Sequence, residues 1–553
     1  MINLKKNSFL EGSFIATASI IFVKLLGMLY VIPFYAIVGT KGASLYAYAY
    51  TIYNIFLDVA SAGLPIAISK LINEYNTLDK KEAKVRAYKI GKKIVSIFSI
   101  VSFVIVFCFA EVIGKLILGD LSGGNTIKDV AFVIRCISLA ILVIPYLAVS
   151  KGYLQGHHYI KAPSVSQVLE QVIRIFIIIV GSYLTIKVFH LSATLGVGIA
   201  VTGALAGGIV ACLYIKKKIK ENKTELGLDE TLIQKKDSVT NKEIVKKIFG
   251  YAIPFIIIDT AASIYSFMDM VLIIRTLNYL SFSAHDVEFI ASSIITYAPK
   301  INMIIAAIAT GMSVSLIPTI VSAYVKKDWK DVNKKLNNAL QIILVISIPM
   351  AVGISLLAGP IWSLFYKYNS YGVAILTLSI FNAILTNCYV ITSSTLQGLN
   401  KFKTVYLATI LGFLTNGVLD VPLMLLLNHL KIPAYFGAIV ATMIGYSLSI
   451  FIGLFTLHRQ NHISYKETFK VVLKLIVPLI AMILVVTLLK MIIPFNIASK
   501  ISCIIYIGIC ALLGATVFII ISYKMGILTE VFGKKFINKI IKKLTLGRVK
   551  LGN

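Results

Sequence analysis

The sequence predicts an all-α polytopic membrane protein of about fourteen transmembrane helices. Three observations predict it. Of 553 residues, 58% are hydrophobic and 14% charged, and mean hydropathy is +0.87, whereas a soluble domain is about half apolar and about a quarter charged. Continuous apolar runs near the length of a membrane-spanning helix recur from end to end. Lysine and arginine are crowded into alternate loops, the asymmetry that orients membrane proteins.

The runs fall at roughly 13–38, 44–67, 94–118, 130–150, 165–188, 192–215, 249–275, 288–320, 338–358, 371–395, 405–428, 435–456, 471–493 and 501–523. They are continuous rather than alternating with period two, which excludes a barrel. Lys5 and Lys6 before an apolar run imitate a signal peptide, but the Ala16-Thr17-Ala18 box lies at the start of the run, where a cleavage site would follow it, so the first span is expected to stay. One set of loops, together with both termini, carries 41 of the 54 Lys and Arg and the opposite set about 9. Both termini are therefore expected in the cytoplasm, with the protein in the cytoplasmic membrane. The formal charge of +30 belongs to these loops and not to a basic domain, so nucleic acid is not an expected partner.

The six cysteines are scattered within apolar runs and read as small core residues, and the seven histidines show no metal-ligand spacing. Residues 216–248, rich in Lys, Glu and Asp, read as a flexible cytoplasmic linker. Two motifs recur across it. Leu154-Gln155-Gly156 with Lys161 returns as Leu396-Gln397-Gly398 with Lys403, and Ser61-Ala62-Gly63, Tyr75 and Asp79-x-x-Glu82 return as Ala309-Thr310-Gly311, Tyr324 and Asp328-x-x-Asp331. The offset joins segments of equal orientation, as in parallel repeats. The division is then an N-terminal lobe of six spans (1–215), the linker (216–248), a C-terminal lobe of six spans (249–456), two further spans (471–523) and a basic cytoplasmic tail (524–553). The tail, with Lys534, Lys535, Lys542 and Lys543 on an apolar background, would lie on anionic inner-leaflet lipids.

Ionisable residues stranded within the runs are the candidate functional groups, since charge at membrane depth usually faces a protein interior or a watery cavity. Lys24 and Lys300 lie mid-span, one in each lobe, and suit an anionic substrate; the alternative is that Asp58 neutralises Lys24 and Asp259 or Asp269 neutralises Lys300. Glu170 and Arg174 share one helix face at i,i+4, either as an internal ion pair or as part of the substrate site. Asn416 and Asp420, also i,i+4, together with a carboxylate from span seven (Asp269 or Asp259), offer hard oxygens for a cation, against the alternative of plain helix–helix hydrogen bonding. Arg135 and Arg275 sit near outer span ends, where headgroups are the expected contact.

The run Lys24-Leu25-Leu26-Gly27-Met28-Leu29-Tyr30-Val31-Ile32-Pro33-Phe34, the segment from Pro163 to Arg174 (PSVSQVLEQVIR), Gly152-Tyr153-Leu154-Gln155-Gly156-His157 and Gly353 to Pro360 together resemble the Gram-positive type of the MurJ lipid II flippases. The resemblance runs over almost the whole chain. It implies a MATE-like fold and the flipping of undecaprenyl-pyrophosphate-linked cell-wall precursor by alternating access. It also implies that Lys24 and Lys300, the latter in Tyr297-Ala298-Pro299-Lys300, contact the pyrophosphate; Asp58, Glu170 and Arg174 remain further substrate-site candidates from the residues alone. Asp269, Asn416 and Asp420, with Asp259 as a further candidate, would hold Na⁺; H⁺ or the membrane potential are the other expected driving forces, and no cofactor is expected. Two departures stand out: Thr51 occupies a place where Gram-negative-type members carry an arginine, and Val31 one where many members do. A monomer is expected. Exporters of other lipid-linked polysaccharide units or of small molecules and cations are the alternatives. An enzyme of the same pathway would need a catalytic loop of some size, which the short outer loops do not offer.

Overall fold

Helices account for every regular element among the described residues of the computed structural model, which are 9–61, 63–228, 238–534 and 537–538. In chain order they are α1 (Phe9–Leu29), α2 (Val31–Ser61), α3 (Gly63–Thr77), α4 (Lys81–Cys108), α5 (Ala110–Leu118), α6 (Ile127–Ser138), α7 (Ile144–Gly156), α8 (Lys161–Phe176), α9 (Ala193–Glu221), α10 (Asn241–Tyr279) and α11 (Ala284–Ser292). There follow α12 (Ala298–Val325), α13 (Trp329–Leu356), α14 (Ala358–Phe365), α15 (Ser370–Ser379), α16 (Asn382–Gly398), α17 (Phe402–His429), α18 (Phe436–Asn461), α19 (Lys466–Lys474), α20 (Ile476–Ile492), α21 (Lys500–Lys524) and α22 (Ile527–Phe532). Thirteen stretches among the described residues are long and apolar enough to cross a bilayer, and Ala18–Leu29 is a shorter apolar helix. The first apolar run is divided between α1 and the start of α2. The chain turns into the second run at Gly39, whose φ of +68° and ψ of −172° only glycine adopts without strain. Helix starts are set by side-chain caps: Thr126 with Asp129 and Thr240 with Glu243 form reciprocal capping boxes on α6 and α10.

The chain divides into two compact units, Met1–Lys300 with Phe413–Ala441, and Ile301–Gly412 with Thr442–Asn553. In the first, Leu71, Tyr75, Tyr88, Tyr153 and Ile248 belong to one buried cluster. In the second, α13 packs on α16, and α20 on α21.

The Leu-Gln-Gly motif makes the same corner at both of its occurrences. After α7, Tyr159 N–H donates to Leu154 O at 3.0 Å and His158 N–H to Gln155 O at 2.9 Å, with His158 at φ 64°. After α16, Lys401 N–H donates to Leu396 O at 2.8 Å and Asn400 N–H to Gln397 O at 3.0 Å, with Asn400 at φ 57°. The paired long and short bonds closed by a left-handed residue are a Schellman-type helix stop.

The expectation of a flexible linker over 216–248 is corrected on both flanks. Helix α9 continues to Glu221, and the turn beyond it is seated by an apolar anchor: Leu226 is fully buried beside Tyr153 and Tyr159. Tyr153 Oη donates to the Leu226 carbonyl at 2.8 Å, and Tyr159 Oη donates to Glu225 Oε2 at 3.0 Å. Burial and that carboxylate push the Tyr159 phenol up to about 12, so it stays a donor at neutral pH. On the far flank Arg86 donates to the Val239 carbonyl at 2.6 Å, and Glu74 accepts from Lys247 at 2.5 Å and from Tyr251 Oη at 3.0 Å. An apolar side chain every few residues was enough to dock what composition marked as solvated. Residues 229–237, most of the basic tail, and Lys5 and Lys6 lie outside the described residues. Leu226→Ala is expected to cost about 2–5 kcal/mol in detergent unfolding and to speed proteolysis of the 222–228 turn.

Candidate functional site

Two polar clusters lie inside the first unit at spanning depth. The first is built on α8. Glu170 accepts from Arg174 Nη2 at 2.7 Å and from Lys151 Nζ, on α7, at 3.0 Å. The three side chains are 13%, 18% and 18% exposed respectively, so two cations share one carboxylate in a largely dry setting. Helix α9 presses the α8 backbone into place. A Cβ on Gly207 would collide with the Glu170 carbonyl oxygen, and one on Gly203 would sit 2.7 Å from the Arg174 carbonyl oxygen. Only glycine permits that approach, and it fixes which way Glu170 and Arg174 face.

Around Arg174 stands a ladder of tyrosines. Tyr46, Tyr50 and Tyr53 recur at i, i+4 and i+7 on α2, one face of the helix, and all three interact electrostatically with the guanidinium. Tyr46 and Tyr50 stack with ring centres 4.4 Å apart, and the Tyr30 and Tyr46 hydroxyls are 2.9 Å apart. Lys300 completes the cluster, its ammonium 5.7 Å from the centre of the Tyr30 ring and within the field of Arg174. It is aimed there by a π-helical turn, Ser293–Tyr297, directly before Pro299, whose missing N–H leaves the preceding turn open. Tyr297 Oη donates to the Ala43 carbonyl at 2.5 Å, tying that turn to α2. Lys24 is half-buried on α1, three residues before Gly27, whose Cβ position lies 3.4 Å from Gln171 of α8, so the i,i+3 spacing puts Lys24 on the side of α1 that faces α8.

The second cluster joins α10 and α17. Asn416 Nδ2 donates to Asp269 Oδ1 at 3.1 Å, and the carboxyls of Asp269 and Asp420 meet. Asp269, Asn416 and Asp420 are 4%, 1% and 0% exposed. Among the described residues, Asn416 Oδ1 and both Asp420 oxygens lack a hydrogen-bond donor. Two adjacent buried carboxylates cannot both stay charged without a proton or a cation between them. The donors are hard oxygens of the kind that alkali and alkaline-earth ions take.

The remaining sequence candidates fall elsewhere. Asp58 accepts a hydrogen bond from Ser263 of α10. Asp269 serves the carboxylate cluster, so it is not the neutralising partner of Lys300 that one alternative assigned. Asp259 lies on α10 with its side chain outside the described residues. Arg135 pairs with Glu111 at 3.1 Å and Arg275 donates to the Leu116 carbonyl at 3.3 Å, so both have protein partners near the span ends, where headgroups were expected. Lys151 was counted as a loop lysine and missed; no spacing rule connects it to Glu170. The tyrosine ladder was legible in its i, i+4, i+7 spacing but was not read.

The second unit holds a cavity of about 840 Å³ lined almost wholly by apolar side chains of α13, α20 and α21, among them Pro349, Ile354, Met482, Val486 and Phe518.

Among the described residues, a helix-only fold with partly buried cations, a buried carboxylate pair and an apolar cavity fits a multi-pass membrane transporter. The family signature described as polysaccharide biosynthesis protein matches residues 9–324, and the MatE signature matches 254–421. The lipid II flippase MurJ of Bacillus subtilis (strain 168) is 31% identical over 96% of this chain and 97% of its own length. Stage V sporulation protein B of the same organism is 22% identical over 62% of this chain and 64% of its own length. Among solved structures, the lipid II flippase MurJ in an inward closed conformation superposes with TM-score 0.67 at 19% identity, covering 93% of this chain and 99% of that one. An inward-facing MATE multidrug transporter gives 0.64 at 17% identity, over 79% and 94%. The chain belongs to the MurJ branch of the polysaccharide biosynthesis protein family. The MurJ flippase and the MATE proteins are transporters, and this chain is a transporter, not an enzyme.

Gly207→Val is expected to push α9 off α8 and destabilise the protein by about 1–3 kcal/mol, read as a lower unfolding temperature in detergent. Gly353→Ala, with open space at its Cβ, is the control and should leave the α8–α9 packing untouched.

Proposed function

We propose that this transporter flips undecaprenyl-pyrophosphate-linked peptidoglycan precursor, lipid II, across the cytoplasmic membrane by alternating access of two six-span lobes, 1–215 and 249–456, with both termini in the cytoplasm. The observation that carries the reading is the cationic cluster within the spans, where Arg174 and Lys151 share the one Glu170 carboxylate and Lys300 lies in the field of Arg174. A diphosphate is the complementary ligand: it brings several negative oxygens, and charge-assisted bonds to Arg and Lys are the strong ones. Lys24 and Lys300 are its first contacts in this reading. Lys300 is a point charge rather than a bidentate fork, and Arg174 supplies the fork. Exporters of cations share the fold, but a cluster with excess positive charge repels such a cargo. Anionic inner-leaflet lipids would meet the basic tail, and the protein would act as a monomer.

Asp269, Asn416 and Asp420 would hold a coupling Na⁺, or a proton, whose binding relieves the repulsion between the two carboxylates. The chemistry a bound cation would supply there is electrostatic, a positive charge between the Asp269 and Asp420 carboxyls that would favour one arrangement of α10 and α17 over another.

Lys24→Ala and Lys300→Ala are each expected to abolish rescue of a flippase-depleted cell while the protein still reaches the membrane, with outer-leaflet lipid II labelling staying at the depleted level. Full rescue by both would overturn the reading. Asp420→Ala is expected to remove any Na⁺ dependence of flipping, measured across a Na⁺ series at constant ionic strength; an unchanged dependence would refute the assignment.

A further inference from the structure

We infer that Glu170 is a resident stand-in for the substrate's anion, holding Arg174 until a phosphate displaces it, and that Lys151 is the positioning residue that receives Glu170 when Arg174 is given up. The inference rests on the proposed diphosphate-bearing substrate. Its basis is a guanidinium only partly used. Glu170 takes a terminal nitrogen, Nη2, at 2.7 Å, and Arg174 Nε is buried with no acceptor among the described residues. A guanidinium presents five donors in a fixed fork suited to bidentate phosphate, so a one-point carboxylate link leaves much of its capacity unspent. A second unspent donor faces the same place. The Tyr53 hydroxyl is buried without a hydrogen-bond partner among the described residues and lies in the field of Arg174.

Glu170 can give Arg174 up without becoming an isolated buried charge. Its other oxygen, Oε2, already accepts from Lys151 Nζ at 3.0 Å. When a phosphate takes Arg174, the carboxylate keeps one full cationic partner, and the substrate finds Arg174, Lys300 and the Tyr53 hydroxyl. When the phosphate leaves, Glu170 closes on Arg174 again, so the guanidinium is never left bare in a dry interior, where an unpartnered charge costs most. The arrangement trades affinity for release, which a carrier needs because it must discharge its cargo each cycle.

The test is binding and turnover by the full-length protein in nanodiscs, with farnesyl diphosphate and farnesyl monophosphate as probes and lipid II flipping as the turnover assay. Glu170→Gln removes the competitor, so the diphosphate should bind about tenfold tighter while flipping slows because release is delayed. Lys151→Gln leaves Glu170 to Arg174 alone, so the diphosphate should bind about tenfold weaker. In an Arg174→Gln background, Glu170→Gln should no longer tighten binding. A purely structural triad would weaken binding in both single variants. Glu170→Gln binding no tighter than the parent overturns the inference while the flippase reading stands. If Glu170→Gln does not fold, an unchanged affinity in Lys151→Gln overturns it. A parent protein that does not prefer diphosphate over monophosphate overturns the flippase reading and this inference with it.

Discussion

A charge held at the depth of lipid tails is tolerable only with a partner, an aromatic face or a polar lining, and the arrangement of the first unit follows from that demand. Two cations converge on Glu170, a third rests over Tyr30, and two carboxyls meet beside Asn416. None of these groups could be placed by hydrophobic packing, which only expels charge. The α8 charges and Lys300 are set by backbone devices: the glycine contacts of α9 on α8, and the open turn ahead of Pro299. Polar function in this chain depends on residues that carry no charge at all.

The two units divide the chemistry. The first collects the buried ionisable groups described above, and the second holds the apolar cavity. Small residues serve each: Gly203 and Gly207 let backbones touch, while Gly353 leaves open space along α13.

Much of this was legible in the sequence. Span positions follow from apolar length alone, because the bilayer sets that length. The Glu170–Arg174 and Asn416–Asp420 pairs were legible because i,i+4 spacing is local geometry. Lys151 was not, since its partner lies across a helix pair and nothing in its neighbours distinguishes it from a loop lysine. Spacing alone did not separate Asp259 from Asp269, and the preference for Asp269 came from the family resemblance: both lie on α10, and the meeting of Asp269 with Asn416 and Asp420 depends on where α17 brings the latter two. The docked linker was hidden because one buried leucine outweighs many solvated charges in deciding where a turn sits. The Leu-Gln-Gly repeat was visible as letters, but its meaning as a helix stop needed the hydrogen bonds.

That corner governs more than where α7 ends. Helix α8 begins five residues past Gly156, at Lys161, and its azimuth is inherited from the turn. Each residue of an α-helix rotates the next by about 100°. A single residue inserted within α8, between Lys161 and Glu170, would thus carry Glu170 and Arg174 roughly a quarter-turn around the helix axis relative to the corner, away from Lys151 and the tyrosines, without altering one apolar residue. An aligned homologue that keeps Glu170 and Arg174 but changes that spacing by one would have to restore the phase elsewhere, and the π-helical turns after Phe176 come too late in the chain to do it.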